Sequence, residues 1–511
     1  MLAPSEQPLL SEVAIAPPPD TRPSAAMRRA GVITGALGFF CFLPYLAITV
    51  GNTSAVQVGS MLTLLVTLPV LFFSLRRGPI WLFALIIAPL CIAALKVGLT
   101  GDGDIGLSLK TLPVWALSCL TIVAAQVCAP RYAVELLTGI AVATVLHTLM
   151  GALQLYYFSF GQFPMPWLYV NPSFLSVQNN ADTIARFTQR PFGLFPEPSA
   201  MSSSLAPWVL FWIAELCGIV RLRRAPATWQ RVLFTVAAIG GLGLIILSRS
   251  GHAAITLACV LVFVAIWFAR CKATKGAYLA ILAVFGIALP VALYFAAESL
   301  NDRLGGRSEM GNSSWGDRTD SLRIGLMLLV NGDLPTVLFG FGPGMTGPAL
   351  ERVARLEAVW SVLLTYVYET GMLGLLVVLW IGAAMLRLWK SIRFDIVFAA
   401  IAVTWLVGVT VTTSYSELLP IWMALGWLTV WPAVCKIKGQ PSPSRAWHEV
   451  AKTQATNGWR KLRTSGKRPP NWITRRWSES VTRARPRLTD RQASTDQNAL
   501  APRRPRRWSE R

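Results

Sequence analysis

Charged residues are scarce in this sequence of 511 residues. Asp, Glu, Lys and Arg make up 14% of it, whereas hydrophobic residues make up 54%. Because a soluble domain carries about 25% charged residues, the chain has too few charges to cover a globular surface, and its composition excludes a purely soluble protein. Cysteine is also scarce, with 8 residues, which excludes a disulfide-rich secreted fold.

The positive charge that is present lies mainly at one end. Residues 436–511 carry 20 Lys and Arg and 5 Asp and Glu, a net charge of +15 out of +22 for the whole chain. We therefore predict a basic cytoplasmic tail attached to a membrane domain, and no nucleic-acid binding. Residues 1–30 contain many prolines and lack a signal-peptide pattern, which predicts a disordered cytoplasmic leader.

Long apolar runs fill the region between these ends. Each is about 18–25 residues long, which is enough to cross a hydrocarbon core about 30 Å thick. They predict an all-α, polytopic membrane domain over residues 31–435 with about twelve transmembrane helices. The predicted spans are 31–50, 55–75, 79–100, 109–129, 133–158, 199–220, 232–249, 252–269, 277–296, 360–386, 396–413 and 418–435.

Lys and Arg in the short loops predict the orientation, because such residues concentrate on the cytoplasmic side. They fall in every second loop, namely the loops that contain Arg76, Arg131, Arg221, Arg270 and Arg387. The alternate short loops contain none. This pattern predicts that both termini are cytoplasmic and that two long loops, 159–198 and 297–359, are extracytoplasmic.

The first outer loop ends in an unusual segment, Arg190-Pro-Phe-Gly-Leu-Phe-Pro-Glu197-Pro-Ser199. The prolines on either side of Glu197 restrict the backbone, and Ser199 is a candidate cap for the next span. A helix N-terminus that faces outward favours a bound anion. The segment is therefore either an anion site with a carboxylate beside it or an ordinary helix-start turn with a solvated Arg and Glu.

A second polar segment, Ser248-Arg249-Ser-Gly-His252, joins two predicted spans on the same side. Arg249 is either functional or an interfacial anchor whose side chain reaches the headgroups. His252 is one of three histidines and is a candidate substrate-binding residue facing that compartment. His147 lies within a predicted span, and we interpret it as a packed, hydrogen-bonded residue.

The second outer loop carries further candidates. Arg318 and Arg323 lie in a short stretch that predicts an amphipathic helix on the outer surface. The glycine cluster over residues 340–344 lacks the Lys-Ser/Thr ending of a phosphate loop and predicts a close-packed turn instead. Glu369, inside the apolar run that follows, is either functional or a structural carboxylate at a helix break at Gly371.

No metal site is predicted, because the outer loops contain no Cys, no His pair and no acidic run with ligand spacing. Arginine is then the residue available for an anionic substrate. Its guanidinium binds phosphate oxygens bidentately and keeps its charge.

Four motifs in the range 180–430 together resemble one family, the superfamily of O-antigen ligases and Wzy-type O-antigen and exopolysaccharide polymerases of bacterial envelopes. The motifs are Arg190-x-x-Gly193-x-Phe-x-Glu197-x-Ser199, Ser248-Arg249-Ser-Gly251, Leu338-x-Gly340-x-Gly342-x-Gly344 and Tyr366-x-x-Glu369-x-Gly371-x-x-Gly374. The Phe-Pro-Glu-Pro-Ser form is most similar to the polymerase branch.

The resemblance implies a GT-C-like fold and an inverting glycosyltransferase at the outer face of the inner membrane. Its substrate would be a glycan on undecaprenyl diphosphate, with no nucleotide sugar, metal or other cofactor. Arg190 and Arg249 would handle the diphosphate, and Glu197 would be the first choice of base. Beyond the resemblance, we expect Arg318 and Arg323 to help bind acceptor phosphate or acidic sugars, and a chain-length regulator or other export components to be partners.

One departure favours a polymerase over a ligase. Ligase-type members carry a His-Asn pair shortly before the Tyr/Glu/Gly motif, whereas this chain has Trp360-Ser361 there and no His in residues 297–359. A base would then be Glu197, Glu357 or Glu369. A ligase remains one alternative. A flippase is another, although a transporter shows broken polar helices in matched halves, whereas the polar residues here cluster in two outer loops.

Overall fold

A computed structural model describes residues 25–48, 56–74, 80–101, 103–171, 189–270, 314–354, 361–412 and 418–436, together with residues 181, 185 and 359. The predicted span 277–296 and nearly all of the predicted leader and tail lie outside these residues. Helix α1 begins at Ala25, inside the segment predicted to be disordered. The reason is local, because Ala, Met and Arg at residues 25–30 are good helix formers.

Helices form nearly all of the regular structure in the described residues. They are α1 (Ala25–Cys41), α2 (Val58–Ser74), α3 (Ile80–Thr100), α4 (Ile105–Phe158), α5 (Pro198–Leu216), α6 (Thr228–Leu247), α7 (Gly251–Arg270), α8 (Ser314–Val330), α9 (Leu334–Phe339), α10 (Thr346–Ala354), α11 (Val362–Ser391), α12 (Ile396–Val407), α13 (Leu419–Thr429) and α14 (Trp431–Val434). A π-helical turn, Gly408–Thr412, continues α12. The strands β1 (Ala47–Ile48) and β2 (Val56–Gln57) pair antiparallel.

Four helical segments are long and apolar enough to cross a membrane. These are Leu82–Thr100, Ile105–Phe158, Thr228–Leu247 and Val362–Ser391. Shorter apolar helices accompany them, so the architecture is compatible with an all-α membrane protein. Each predicted span within the described residues overlaps a helix. The count of twelve spans and the GT-C-like fold stay predictions.

Helix α4 contains two consecutive helical segments. Its 54 residues would extend about 80 Å as one straight helix, more than twice the thickness of a hydrocarbon core. The backbone leaves helical geometry at Tyr132, where φ is −125° and ψ is 33°, shortly after Pro130. Because a proline removes one helical hydrogen bond and crowds the preceding turn, the break falls between the predicted spans 109–129 and 133–158.

Loops that the orientation assigns to the cytoplasm contact one another. Leu222, after α5, forms an antiparallel bridge with Cys435, after α14. Arg224 forms a salt bridge with Glu135 near the middle of α4. These contacts are what a shared cytoplasmic side predicts.

Segments in or near the loops assigned to the outer side also contact one another. The Asn171 side-chain amide donates to the Tyr45 carbonyl oxygen at 3.3 Å. Gly103 lies against Met345, and a Cβ on Gly103 would come within 2.9 Å of the Met345 Cε. Each of these two contacts joins segments that the orientation places at the outer side.

Glycines let α1 and α4 pack backbone against backbone. A Cβ on Gly139 would lie 1.9 Å from the Gly35 carbonyl oxygen, and one on Gly38 would lie 2.4 Å from the Leu136 carbonyl oxygen. Small residues allow this close approach between membrane helices. The contact holds the first helix against the second half of α4.

We expect Gly139→Ala to destabilise the purified protein by about 1–3 kcal/mol, the cost of overpacking a tight contact. The matched control is Gly243→Ala on α6, where a Cβ would meet nothing within 4 Å and where alanine favours the helix. Thermal unfolding in detergent measures both. Equal unfolding temperatures for the two variants would contradict the close packing of α1 on α4.

Candidate functional site

The turn between Arg190 and Glu197 is buried, and Gln154 on α4 holds its backbone. The Oε1 of Gln154 accepts hydrogen bonds from the backbone N–H groups of Phe192 and Gly193, both at 2.9 Å. Its Nε2 donates to the Gly193 carbonyl oxygen, also at 2.9 Å. Since buried backbone groups need partners, one amide side chain supplies here what a helix or sheet supplies elsewhere.

Tyr169 and His147 complete the hold on this turn. Burial raises the pKa of Tyr169, so its hydroxyl stays protonated and donates to the Gly193 carbonyl oxygen. The Nδ1 of His147 accepts from the Leu194 N–H at 3.2 Å, and its Nε2 donates to the Phe42 carbonyl oxygen at 2.8 Å. This pattern requires the neutral Nε2–H tautomer, and it agrees with the prediction of a packed, hydrogen-bonded histidine.

Gly193 is required in the turn for two reasons. Its φ is +59°, a conformation that residues with a side chain rarely adopt. A Cβ would also lie 2.9 Å from the Nδ1 of His147. The glycine at residue 193 therefore reflects a backbone constraint.

Helix α5 begins one residue after Glu197. Glu197 is the N-cap with an extended backbone, and Pro198 is the first helical residue, where its fixed φ suits the helix. The Ser199 hydroxyl donates to the Glu197 carboxylate. The prediction that Ser199 caps this helix is therefore wrong, because the proline moves the helix start ahead of it. Arg190 and Glu197 are both half-buried.

A contact between serines joins this helix start to the α6–α7 turn. The hydroxyl oxygens of Ser202 on α5 and Ser248 at the end of α6 lie 2.8 Å apart, so one donates to the other. Arg249 follows directly, is exposed, and has a φ of +50°. The structure thus brings the turn that carries Arg249 beside the N-terminal end of α5.

His252 lies deeper than predicted. Its ring is completely buried, and its Nε2 donates to the Thr404 carbonyl oxygen on α12 at 2.9 Å. The ring also lies beside Gly408, where the π-helical turn begins. His252 is therefore packed between helices and does not face the loop surface, and its role in substrate binding stays a prediction.

Glu369 holds the glycine turn against α11. Its Oε2 accepts from the Trp115 Nε1 at 3.0 Å, and its Oε1 accepts from the Gly344 N–H at 2.7 Å. Its own carbonyl oxygen accepts from the Gly342 N–H at 3.0 Å. These contacts lie at the break in α11, where Gly371 has a φ of +63°. They favour the structural interpretation of this carboxylate and the close-packed interpretation of the glycine turn.

Arg318 and Arg323 lie on α8, which is helical as predicted. The helix packs on α11, where the Tyr368 hydroxyl donates to the Leu322 carbonyl oxygen at 2.7 Å. Arg323 is exposed, and its Nη2 is 3.9 Å from the Asp320 Oδ1. The side chains of Arg318 and Glu357 lie outside the described residues.

Two residues important to this region were not predicted. Gln154 is an amide inside an apolar span, and its polarity there indicates a buried hydrogen-bonding role. Trp115 carries no local signal, because its partner Glu369 is 254 residues away.

No family model and no curated protein matches the chain. Within the described ranges, no group of three or more His, Cys, Asp or Glu residues is placed to hold a metal ion. The family resemblance therefore rests on the four motifs and their order.

We expect Gln154→Met to destabilise the buried turn, because it leaves the Phe192 and Gly193 N–H groups without their acceptor. Each unsatisfied N–H should lower the free energy of unfolding by about 1–3 kcal/mol. Gln126→Met, on the same helix, is the control, since Gln126 donates a single bond to Thr429. Thermal unfolding and limited proteolysis after α4 are the measurements. The account of the turn is wrong if the two variants lose the same stability.

Glu369→Gln should weaken the glycine turn. If the amide oxygen of Gln still accepts from the Gly344 N–H, its NH2 group faces the Trp115 N–H, so two donors meet. Trp115→Phe removes that conflict. A double-mutant cycle on thermal unfolding should therefore give a coupling energy of about 0.5–3 kcal/mol. Additive losses would show that the two side chains do not act together.

Proposed function

We propose that this protein polymerises oligosaccharide repeat units carried on undecaprenyl diphosphate, at the outer face of the bacterial inner membrane. The proposal rests on the family resemblance and on the absence of a ligase-type His from residues 297–359. The apolar helices are compatible with the membrane location.

The contact between Ser202 and Ser248 is the observation that carries the proposal. The motifs around Glu197 and Arg249 lie far apart in sequence, and the 2.8 Å contact makes their turns neighbours. The buried hydrogen bond from Gln154 to the Gly193 carbonyl oxygen fixes the same segment three residues after Arg190. Such support by surrounding residues is what a site built for one geometry requires.

Each residue has a distinct role in the proposed reaction. The guanidinium groups of Arg190 and Arg249 bind the diphosphate of the donor and stabilise its charge as it leaves. A hydroxyl of the acceptor repeat attacks the anomeric carbon from the opposite side, so a new C–O bond forms while the bond to the diphosphate oxygen breaks. The Glu197 carboxylate accepts the hydroxyl proton.

Arg249→Gly separates the function of this arginine from its fold. Because Arg249 has a φ of +50°, where L-residues are strained by about 1–2 kcal/mol, glycine should keep or improve stability. Losing the guanidinium should cost about 2–4 kcal/mol of transition-state stabilisation. Polymer output, measured at matched protein level, should fall at least about 30-fold.

Arg393→Gly is the matched control. Arg393 is also an exposed arginine after a helix, with a φ of +58°, but it lies on the predicted cytoplasmic side. Its replacement should leave polymer output at the wild-type level. Full output from both variants would overturn the role of Arg249.

A further inference from the structure

An open cleft of 510 Å³ lies where α4 ends, and the function proposed above does not use it. Its volume is in the range of small-molecule sites. Its lining includes Tyr157, Gly161, Gln162, Phe163, Pro164 and Pro166. All of these belong to the end of α4 and the start of the first predicted outer loop.

The C-terminal end of α4 shapes this cleft. The N–H of Gln162 donates to the Tyr157 carbonyl oxygen at 3.1 Å, and the N–H of Gly161 donates to the Phe158 carbonyl oxygen at 3.0 Å. Gly161 has a φ of +66°, so the helix ends in a Schellman motif. Pro164 and Pro166 then restrict the backbone, which gives the cleft a fixed wall.

One wall of the cleft contacts the buried turn of the proposed site. The ring of Phe163 packs 6.0 Å from that of Phe192 and 5.0 Å from that of Tyr169, measured between centroids. Tyr169 in turn donates to Gly193. A ligand in the cleft would therefore lie one layer of side chains away from the turn between Arg190 and Glu197.

We propose that this cleft binds a sugar residue of the acceptor glycan, an inference that rests on the proposed polymerase function. A sugar ring has an apolar C–H face and a rim of hydroxyl groups. The Tyr157 and Phe163 rings and the prolines fit the face, whereas the Tyr157 hydroxyl and the Gln162 amide fit the rim. An acyl chain is the poorer match, because it would cover those polar groups without bonding them.

Adjacent tyrosines provide the test. Tyr157 lines the cleft, whereas Tyr156 does not and has 63% of its surface exposed. Polymerisation is assayed with purified protein and with lipid-linked single repeats, which are extracted from a strain that lacks this protein. Tyr157→Ala and Gln162→Ala should each raise the repeat concentration for half-maximal rate about tenfold, while the maximal rate is retained. Losing one aromatic or polar contact weakens binding by about 1.4 kcal/mol, which is a tenfold change in affinity. Tyr156→Ala should match the wild type.

A labelling experiment reads binding without turnover. Gln162→Cys and the control Phe160→Cys, at a residue 64% exposed outside the cleft lining, are treated with a membrane-impermeant maleimide. Added lipid-linked repeats should protect residue 162 and leave residue 160 labelled.

The two proposals fail in different ways. If polymer persists in a strain without the protein, the polymerase function is wrong, while protection at residue 162 still reports a glycan site. If polymer is lost in that strain but Tyr157→Ala behaves like Tyr156→Ala and residue 162 stays unprotected, the cleft does not bind glycan. Its aromatic rings then belong to the membrane interface.

Discussion

The hydrogen bonds of Gln154 to Phe192 and Gly193 are the interactions on which the candidate site depends. A turn of irregular backbone can be buried among membrane helices only where its polar groups are satisfied within the protein. Gln154 accepts from two backbone N–H groups and donates to one carbonyl oxygen. Tyr169 donates to that same oxygen, and His147 accepts from the Leu194 N–H. Because of this, the segment between the candidate arginine and the candidate carboxylate has a defined position.

Backbone strain in this protein does not by itself mark the site. Arg249 and Arg393 both follow a helix with a positive φ, in the position where glycine usually ends a helix. What distinguishes Arg249 is its neighbour, since Ser248 contacts Ser202 near the N-terminal end of α5. Strain joined to a specific contact across helices is a stronger indication of function than either feature alone.

The sequence predicted local features well because they depend on local patterns. Apolar runs identified the helices. Segments that the charge pattern assigns to the same side contact each other, as Leu222 and Cys435 do. The residue pattern before Val330 predicted α8, and the glycines at 340–344 predicted a packed turn. The last two predictions each depend on residues that lie close together in the sequence.

What the sequence did not predict depends on distant partners. The burial of His252 depends on α12, and the role of Glu369 depends on Trp115. The cap at Glu197 in place of Ser199 is a local exception, because the adjacent Pro198 starts the helix one residue earlier. Periodicity and composition identify elements, but they do not specify which faces of those elements meet.

The central claim is that this protein joins lipid-linked repeats, and the glycan profile of a strain without it tests that claim most directly. Extracted undecaprenyl-linked glycans are separated by length and compared with those of the parent strain. The account predicts that single repeats accumulate on the carrier while polymer disappears. Long polymer stranded on the carrier, with its final acceptor bare, would contradict the account and indicate a ligase.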